Sequence, residues 1–268
     1  MTQPKRATAI APRHRQVVKA NELIQKSRFS LSIQQQKIIL YLISQINAYD
    51  TEFKLYEFSI KDFCKVCGID YDNGANYKAI RASIKEIADK SIWVEKDDGE
   101  ETLLRWIEKP YINKKSGTIR IRLDEDMKPY LLQLKKNFTK YELLWTLHFN
   151  SKYSIRLYEL IKSIHFKELE SYTRQYSLSE LRKLLDAETY TTYQTFKTRV
   201  LIPAVNEINS FSDKNIDYEP IKQGRSICYI RFTITTKEAM ERVKLANDIE
   251  KEFGMEQMTL FDELQRGE

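Results

Sequence analysis

The sequence is poor in glycine, cysteine and histidine, and each shortage argues against a class of function. It has seven Gly in 268 residues, and none lies in a GxxxxGK or GxGxxG pattern. Nucleotide-binding loops need such glycines because the backbone must approach the phosphates closely. An ATPase or a dinucleotide-dependent enzyme is therefore disfavoured, and we expect no cofactor. Three Cys are too few for a disulfide framework, which favours a reducing, cytoplasmic environment.

Long hydrophobic runs are also missing. No window approaches 18 consecutive apolar residues, so the sequence predicts no membrane-spanning helix. The N-terminus is basic but lacks the apolar core of a signal peptide, and secretion is not expected. Hydrophobic residues nevertheless make up 42% of the chain, which is enough to build folded cores. The length predicts one large domain or two modest ones.

The charge is distributed unevenly along the chain. There are 44 basic and 38 acidic residues, a formal net charge of +6. Residues 1–19 carry five basic residues and no acid, whereas residues 237–268 carry five basic and nine acidic residues. We predict a flexible basic arm over residues 1–19 and an acidic tail over residues 237–268. A basic arm and body fit a polyanionic partner such as nucleic acid.

One order of elements occurs twice between the arm and the tail. A helix, a strand, a short helix, a long helix and a hairpin over residues 20–128 recur over residues 129–236. The segment Phe58–Phe63 matches Tyr176–Leu181 at an offset of 118. The sequence therefore predicts an α+β protein with two tandem copies of one domain.

Several details of the predicted elements can be compared with the structure. Leu103–Tyr111 and Thr118–Leu123 are predicted as the strands of the first hairpin, and Leu131–Lys167 as a long helical region. Tyr190–Asn209 is predicted as one long helix, kinked at Pro203 because proline lacks the backbone donor.

The repeated unit has the parts of a winged helix-turn-helix. The major groove of DNA admits one helix, which must turn an apolar face to its own core and a polar, basic face outward. In the first unit Ile80, Ile84 and Ile87 are predicted to face inward. Its candidate DNA-binding residues are Asn76, Lys78, Arg81 and Lys85 on the helix, and Lys114 and Lys115 at the hairpin tip. Those of the second unit are Thr191, Gln194, Thr195, Lys197, Thr198 and Arg199 on the helix, and Lys222 and Arg225 at the hairpin tip.

Two other interpretations of this basic pattern stay open. A stripe of Lys and Arg on a helix is typical of an ordinary solvated face, and winged helices also serve as protein-docking modules. The coincidence of a basic helix face with a basic hairpin tip in both copies favours double-stranded DNA as the partner.

Four segments then resemble one known family: VVKANELIQ, SLSIQQQKIILYLISQI, SKYSIRLYELIKS and FKTRVLIPAVNEINSFSDKNIDYEPIKQGR. Over about residues 17–236 they resemble the Rep_3 (RepB-type) family of plasmid replication initiators, and Ser154–Leu160 is the most specific piece. The resemblance implies two winged-helix domains that bind direct repeats, called iterons, at a plasmid origin. It also implies monomers that initiate, dimers that repress their own gene, opening of an AT-rich segment, and recruitment of the host initiator, helicase and primase.

The resemblance also implies roles for individual residues. Lys197, Arg199 and Arg225 match the family's main origin-contacting region, and the first domain would supply a second groove contact and the dimer surface. The alternative is a dedicated DNA-binding transcriptional repressor that uses the same two units without initiating replication.

Two enzymatic or metal-binding hypotheses are weaker. Cys64 and Cys67 form a CxxC motif, but a zinc site needs about four ligands and no second motif follows. The repeat places Cys67 at a core position and Cys64 at a surface or boundary position. Sixteen Tyr suggest a nicking enzyme, but such enzymes hold a metal between closely spaced histidines, and His14, His148 and His165 are far apart. We expect neither a metal site nor enzymatic activity.

The acidic tail contains a short motif of its own. Gln257-Met-Thr-Leu-Phe261 resembles the pentapeptide that binds the bacterial sliding clamp, with Gln, two variable positions, Leu and Phe. Gln257 would fix the backbone, and Leu260 and Phe261 would fill an apolar pocket. Alternatively, Leu260 and Phe261 pack back on the second domain. The clamp is thus a candidate partner beside DNA, a second copy of the chain, and the host initiator and helicase.

Overall fold

A computed structural model describes residues 12–69, 74–96, 98–164 and 171–252. In these ranges helices alternate with small antiparallel sheets. The elements up to residue 131 are β1 (Gln16–Ala20), α1 (Asn21–Lys26), β2 (Ser27–Arg28), α2 (Ile33–Ile43), β3 (Tyr56–Ser59), α3 (Ile60–Cys67), α4 (Gly74–Asp89), β4 (Ser91–Glu95), β5 (Glu101–Arg105), β6 (Tyr111–Ile112), β7 (Thr118–Ile121) and α5 (Lys128–Leu131). Those that follow are β8 (Phe138–Glu142), α6 (Leu144–Leu147), α7 (Lys152–Lys162), β9 (Ser171–Ser177), α8 (Leu178–Leu184), α9 (Tyr193–Phe196), a π-helical turn (Lys197–Leu201), α10 (Ile202–Phe211), β10 (Lys214–Gln223), β11 (Ser226–Thr236) and α11 (Ala239–Glu252).

Two winged-helix units are built from matching elements. The first contains α2, β3, α3, α4 and the hairpin β6–β7, with β7 between β3 and β6 in the sheet. The second contains α7, β9, α8, the segment from α9 to α10 and the hairpin β10–β11, with β11 between β9 and β10. The predicted fold class, two tandem winged-helix units with mixed helices and sheets, is therefore confirmed.

The internal repeat is visible in the caps of the short helices. Ser59 precedes α3, and its hydroxyl accepts the backbone N–H of Asp62 at 3.0 Å. Ser177 precedes α8 and accepts the backbone N–H of Glu180 at 3.1 Å in the same way. Each serine satisfies one of the free N–H groups at a helix start. The 118-residue offset thus relates equivalent positions in the two units.

The first unit carries the hairpin β4–β5, which has no match among the described residues of the second unit. Leu103 lies in β5 and pairs with Trp93 of β4, whereas Tyr111 lies in β6 and pairs with Arg120 of β7. The predicted single strand Leu103–Tyr111 is therefore wrong, because Trp106 and Ile107 turn into the core between the two strands.

The predicted long helical region Leu131–Lys167 is also wrong. It contains strand β8, which pairs with β1 in the register Val18 to Lys140. Strand β8 forms because β1, more than 100 residues earlier in the sequence, provides hydrogen-bond partners for its backbone N–H and C=O groups. Only α6 and α7 are helical in residues 138–162.

The described part of the predicted arm is folded. Arg13 is buried, its Nη1 lies 2.9 Å from Glu250 Oε2, and its Nε donates to the carbonyl of Val66 at 2.8 Å. Lys19 is buried in β1 and its ammonium lies 2.6 Å from Glu159. A flexible arm is therefore wrong for residues 12–19, because these cations have buried partners; residues 1–11 lie outside the described ranges.

The predicted tail also begins with an ordered element. Helix α11 buries Val243, Ala246 and Ile249 against the core, and Glu250 reaches Arg13 and His14. Residues 239–252 thus join the folded body through one apolar helix face. In the part of the chain that the structure describes, no helix is long and apolar enough to cross a membrane.

Candidate nucleic-acid interface

The recognition segment of the second unit starts at a well-formed cap. The hydroxyl of Thr192 accepts the backbone N–H of Thr195 at 3.2 Å, and α9 follows. The chain then makes a π-helical turn, in which the N–H of Ile202 donates to the carbonyl of Lys197. Pro203 follows directly. Its missing N–H and its ring would disrupt an α-helical bond to the carbonyl four residues earlier, and the wider turn accommodates this.

A π-helical turn lies where the sequence predicts a kink at Pro203. The predicted single helix Tyr190–Asn209 consists of α9, the turn and α10. Phe196, Val200 and Ile208 are fully buried along its inner side. The outer side is therefore presented to solvent over its first two turns, as the apolar pattern predicts.

The candidate residues of this segment lie on that outer side. All but Lys197, which is half-exposed, are exposed: Thr191, Gln194, Thr195, Thr198 and Arg199. The hydroxyl of Thr198 donates to the carbonyl of Gln194 at 2.9 Å, and that of Thr195 donates to the carbonyl of Thr192 at 3.0 Å. Because these protons are used within the helix, the two threonines offer a methyl group and acceptor lone pairs to a ligand.

The second wing is long and ends in a basic tip. Strands β10 and β11 have 10 and 11 residues, and Lys222 and Arg225 at the tip are exposed. Gly224 between them has φ +63°, a conformation that a residue with a Cβ rarely adopts. The pairing shifts register after Ile221, and such bulges redirect the side chains that follow.

A buried ionic cluster joins the recognition segment to this wing. Asp213, between α10 and β10, accepts hydrogen bonds from Tyr158 at 2.7 Å and from Lys162 at 2.6 Å. Burial alone raises the pKa of Asp213, but the charges of Lys162 and Lys214 and these hydrogen bonds outweigh it and lower the pKa to about 2. Burial lowers the pKa of the Lys214 ammonium to about 8. The junction between α10 and the wing strand β10 is therefore fixed to α7 by these bonds.

In the first unit, α4 shows the predicted two faces. Ile80, Ile84 and Ile87 are fully buried. On the other side Lys78, Arg81 and Lys85 are exposed and Asn76 is half-buried. The inner face is held by Ser83, whose hydroxyl donates to Gln34 on α2 at 2.7 Å.

The first wing is short and closed by a tight loop. The side chain of Asn113 accepts the backbone N–H groups of Lys115 at 2.9 Å and Ser116 at 3.3 Å. Gly117 closes the loop with φ +69°. These bonds leave the side chains of Lys114 and Lys115 exposed at the tip.

The nine candidate cations share one electrostatic property. Within the described ranges, none of them forms an ion pair with a carboxylate, in contrast to exposed Arg231, which lies 2.7 Å from Glu219. The nine are Lys78, Arg81, Lys85, Lys114, Lys115, Lys197, Arg199, Lys222 and Arg225. Unneutralised positive charge therefore lies on the helix and on the wing of each unit, where it is suited to phosphate. We call the helix and wing cations of one unit its basic patch.

Two further cations lie near the first wing and were missed by the sequence analysis. Arg120 lies 5.4 Å and Lys109 5.9 Å from the ring centre of Tyr111, on the outer face of the hairpin. Arg120 sits on a strand whose buried neighbours Ile119 and Ile121 alternate with it. That period of two would have placed it on the outside.

The other sequence motifs do not join these patches. Cys64 and Cys67 are both buried in α3, so the surface or boundary position predicted for Cys64 is wrong. Burial raises the pKa of the Cys67 thiol to about 12. No cluster of three or more metal-binding side chains occurs in the described ranges. His165 and the motif residues Gln257, Leu260 and Phe261 lie outside those ranges.

The class that this fold and these surfaces define is a tandem winged-helix protein with a basic helix and a basic wing in each unit. Two family models match: initiator replication protein, WH1, over residues 16–162, and initiator Rep protein, WH2, over residues 177–234. The chain therefore belongs to the Rep3 family of plasmid replication initiators, as the sequence resemblance predicts. The models divide the chain between residues 162 and 177, and the boundary predicted at residues 128–129 stays a prediction.

Individual relatives agree with this assignment. A replication initiation protein of Escherichia coli is 26% identical over 235 residues, which are 85% of this chain and 72% of that protein. The crystal structure of the Pi initiator protein in complex with iteron DNA has a similar fold, with a TM-score of 0.70 at 20% identity. The similarity covers 84% of this chain and 99% of the Pi chain.

Proposed function

We propose that the protein initiates plasmid replication by binding iteron repeats at the origin with both winged-helix units. The observation that carries the proposal is the pair of basic patches, in which unpaired cations occupy the helix and the wing of each unit. The Pi initiator, which shares the fold, binds iteron DNA, and this supports the same partner here.

The proposed contacts divide between bases and phosphates. Arg199 is suited to guanine and Gln194 to adenine, because each can form two hydrogen bonds to the major-groove edge of that base. Thr195 and Thr198 can meet a thymine methyl group. The wing cations would hold phosphates and so set the register of each helix on the duplex.

The proposal assigns no covalent chemistry to this chain. Origin opening would follow from binding, and the host initiator and helicase would then be recruited in the cytoplasm. A dedicated repressor would bind the same DNA without opening it. Permanganate reactivity of thymines in an AT-rich segment beside the repeats separates the two, because only an initiator makes those bases accessible.

A footprint tests the proposed DNA site. Purified protein should protect direct repeats spaced by about two helical turns on plasmid DNA that carries its gene, since two units on one face of the duplex lie about 34 Å apart. A fragment of equal length and base composition from elsewhere serves as the control. Equal protection of both fragments would contradict sequence-specific initiation.

Self-association, with repression by the dimer, is part of the proposal. Strand β5 lies at the edge of its sheet, and its Leu103, which is 51% exposed, pairs with Trp93, which is 48% exposed. Exposed apolar pairs rimmed by charge are typical of association surfaces. Two copies of β5 paired antiparallel about Leu103 would place Glu101 opposite Arg105 of the other copy, which adds charge complementarity.

Sedimentation equilibrium tests this surface. Leu103→Glu should weaken the dimer at least about tenfold, because burying a Leu contributes about 1.5–3 kcal/mol, and it should leave binding to one repeat unchanged. Exposed Leu55, changed to Glu, is the matched control. A dimer equally stable in both variants would exclude this surface.

Binding of the sliding clamp through Gln257, Leu260 and Phe261 remains a separate part of the proposal. A pull-down with purified clamp compares the wild type with a Leu260→Ala/Phe261→Ala variant. Retention of the wild type alone supports the motif, and equal retention of both contradicts it.

A further inference from the structure

Helix α7 belongs to the packing of both winged-helix units. It packs against α10 in the second unit and against α1 and α2 in the first. The first family model ends with this helix at residue 162, yet α7 occupies in the second unit the place that α2 occupies in the first. Side chains on α7 can therefore act on both units at once.

Arg156 lies at the centre of this helix and bonds to both sides. Its side chain is 5% exposed. Its Nη2 donates to the carbonyls of Ile24 at 3.3 Å and Ser27 at 3.2 Å, and its Nε donates to the carbonyl of Leu184 at 3.3 Å. Ile24 and Ser27 lie where the chain enters the first unit, and Leu184 ends the helix that precedes the second recognition segment.

The guanidinium is also fixed by its remaining neighbours. It lies 4.4 Å from the ring centre of Phe29, and its Nη1 is 3.8 Å from Glu159. Glu159 in turn is held by Lys19 at 2.6 Å and by the hydroxyl of Tyr141 at 2.5 Å. A buried charge with this many partners has one orientation, because leaving any donor unpaired inside the protein is costly.

We propose that Arg156 is a positioning residue that fixes the distance and rotation between the two DNA-reading units, and thereby sets the half-site spacing that the protein accepts. This rests on the proposed function, in which both units bind one duplex. The planar guanidinium supplies donors in fixed directions to carbonyls on both sides, which a flexible lysine ammonium cannot do.

The spacing of a DNA site is a sensitive measure of this joint. One added base pair moves the second half-site by about 3.4 Å and rotates it by about 35° around the duplex. A rigid protein cannot follow both changes, whereas a protein with a loosened joint can. Spacing dependence therefore reports the joint, while affinity for one half-site reports folding and contact residues.

The probe is a duplex selected from random sequence by the full-length wild type. Binding is measured on this duplex, on versions with one or two base pairs inserted between the halves, and on each half alone at low salt. We expect one insertion to weaken the wild type at least about tenfold. For Arg156→Lys we expect a loss below about threefold on insertion, with half-site affinities within about twofold of wild type.

Arg28→Lys is the matched control. Arg28 follows Ser27 directly, but its ion pairs to Glu95 and Glu101 stay within the first unit, so the wild-type spacing dependence should persist. If Arg156→Lys does not fold, Phe29→Leu decides by the same measurements, since it keeps apolar volume and removes the ring facing Arg156.

The outcomes separate the two proposals. A steep spacing dependence that is unchanged in the Arg156→Lys variant, or in Phe29→Leu where that variant decides, overturns the joint and leaves the proposed function intact. A selected site with only one half, or no selected site, overturns the two-unit binding on which both proposals depend.

Discussion

The two winged-helix units share their element order and differ in what they present outward. The second has a capped recognition segment with a π-helical turn, and its wing strands are 10 and 11 residues long. The first has a regular 16-residue helix, and its wing strands are two and four residues long. It carries instead the additional hairpin β4–β5 with the exposed pair Trp93 and Leu103.

This difference indicates a division of labour between copies of one domain. The second unit offers Gln, Thr and Arg side chains that can distinguish bases, together with a wing long enough to reach the flanking phosphates. The first unit offers mainly lysine and arginine, which suit phosphates, and an apolar surface suited to association. Under the proposed function, the first unit would serve self-association and the second unit would serve sequence recognition.

The largest expected effect concerns both units together. If the two patches neutralise about six to ten phosphates, affinity should fall about 10³- to 10⁵-fold between 50 and 200 mM salt. Fluorescence anisotropy on the footprinted repeat measures the slope of log K against log salt. A slope near −3 would mean that only one unit contacts DNA, which would contradict DNA binding by both units.

Matched arginine variants test which unit reads sequence. Arg199→Ala should cost about 1–3 kcal/mol on the specific site and much less on random DNA, because alanine cannot form the two hydrogen bonds to guanine. Arg81→Ala in the first unit should weaken both DNAs equally, as expected for a phosphate contact. A specific loss for Arg81→Ala that exceeds the loss for Arg199→Ala would reverse the assignment.

Low pH should lower the free energy of unfolding of the second unit specifically. The pKa of Asp213 is lowered to about 2 in the folded state from an ordinary value of 3.8. A depressed carboxyl pKa stabilises the fold above the unfolded pKa, and the stabilisation is lost as the pH falls from about 4 to about 2. The loss should be about 2 kcal/mol and absent in Asp213→Asn. Urea unfolding at each pH measures it.

The matching turn of the first unit supplies the control for this acid effect. Asp89 at the end of α4 is exposed, and Asp89→Asn is the matched substitution in the first unit. Hydrogen exchange at pH 3 should then show earlier opening at α10 and β10 than at α4. Simultaneous opening would show that the cluster around Asp213 does not distinguish the units.

The smallest expected effect compares the wings. Lys222→Ala/Arg225→Ala should make the salt slope less steep by about 0.9 for each phosphate that the wing no longer neutralises, and Lys114→Ala/Lys115→Ala tests the shorter wing in the same way. A change in the salt slope only for Lys222→Ala/Arg225→Ala would support the division of labour between the units. An equal change would show that both wings grip the duplex.

Local patterns were sufficient to predict the recognition elements. The buried positions Ile80, Ile84 and Ile87 follow from helical spacing, and the 118-residue repeat placed equivalent residues at both short helices. The same offset aligns Ser59 with Ser177, and each of these serines caps its short helix.

The errors share a physical cause, which is pairing over long sequence distances. Strand β8 lies in a segment with helical apolar spacing, but it forms because β1 supplies its hydrogen-bonding partner. The sequence predicts Arg13 and Lys19 as solvated arm residues because their ion-pair partners, Glu250 and Glu159, are remote in sequence. Local propensity cannot report such partners, and tertiary contacts override it.

The ion pair between Arg13 and Glu250 has a consequence for synthesis of the protein. The two residues are 237 positions apart, so at 5–20 residues per second roughly 10–50 s separate their translation. In the nascent chain Arg13 is synthesised long before Glu250, the carboxylate that pairs with it when it is buried. A chain that terminates before residue 250 lacks this partner. Among the described residues, burial of Arg13 in its ion pair is completed only when α11 docks, so this part of the fold forms only after α11 has been translated.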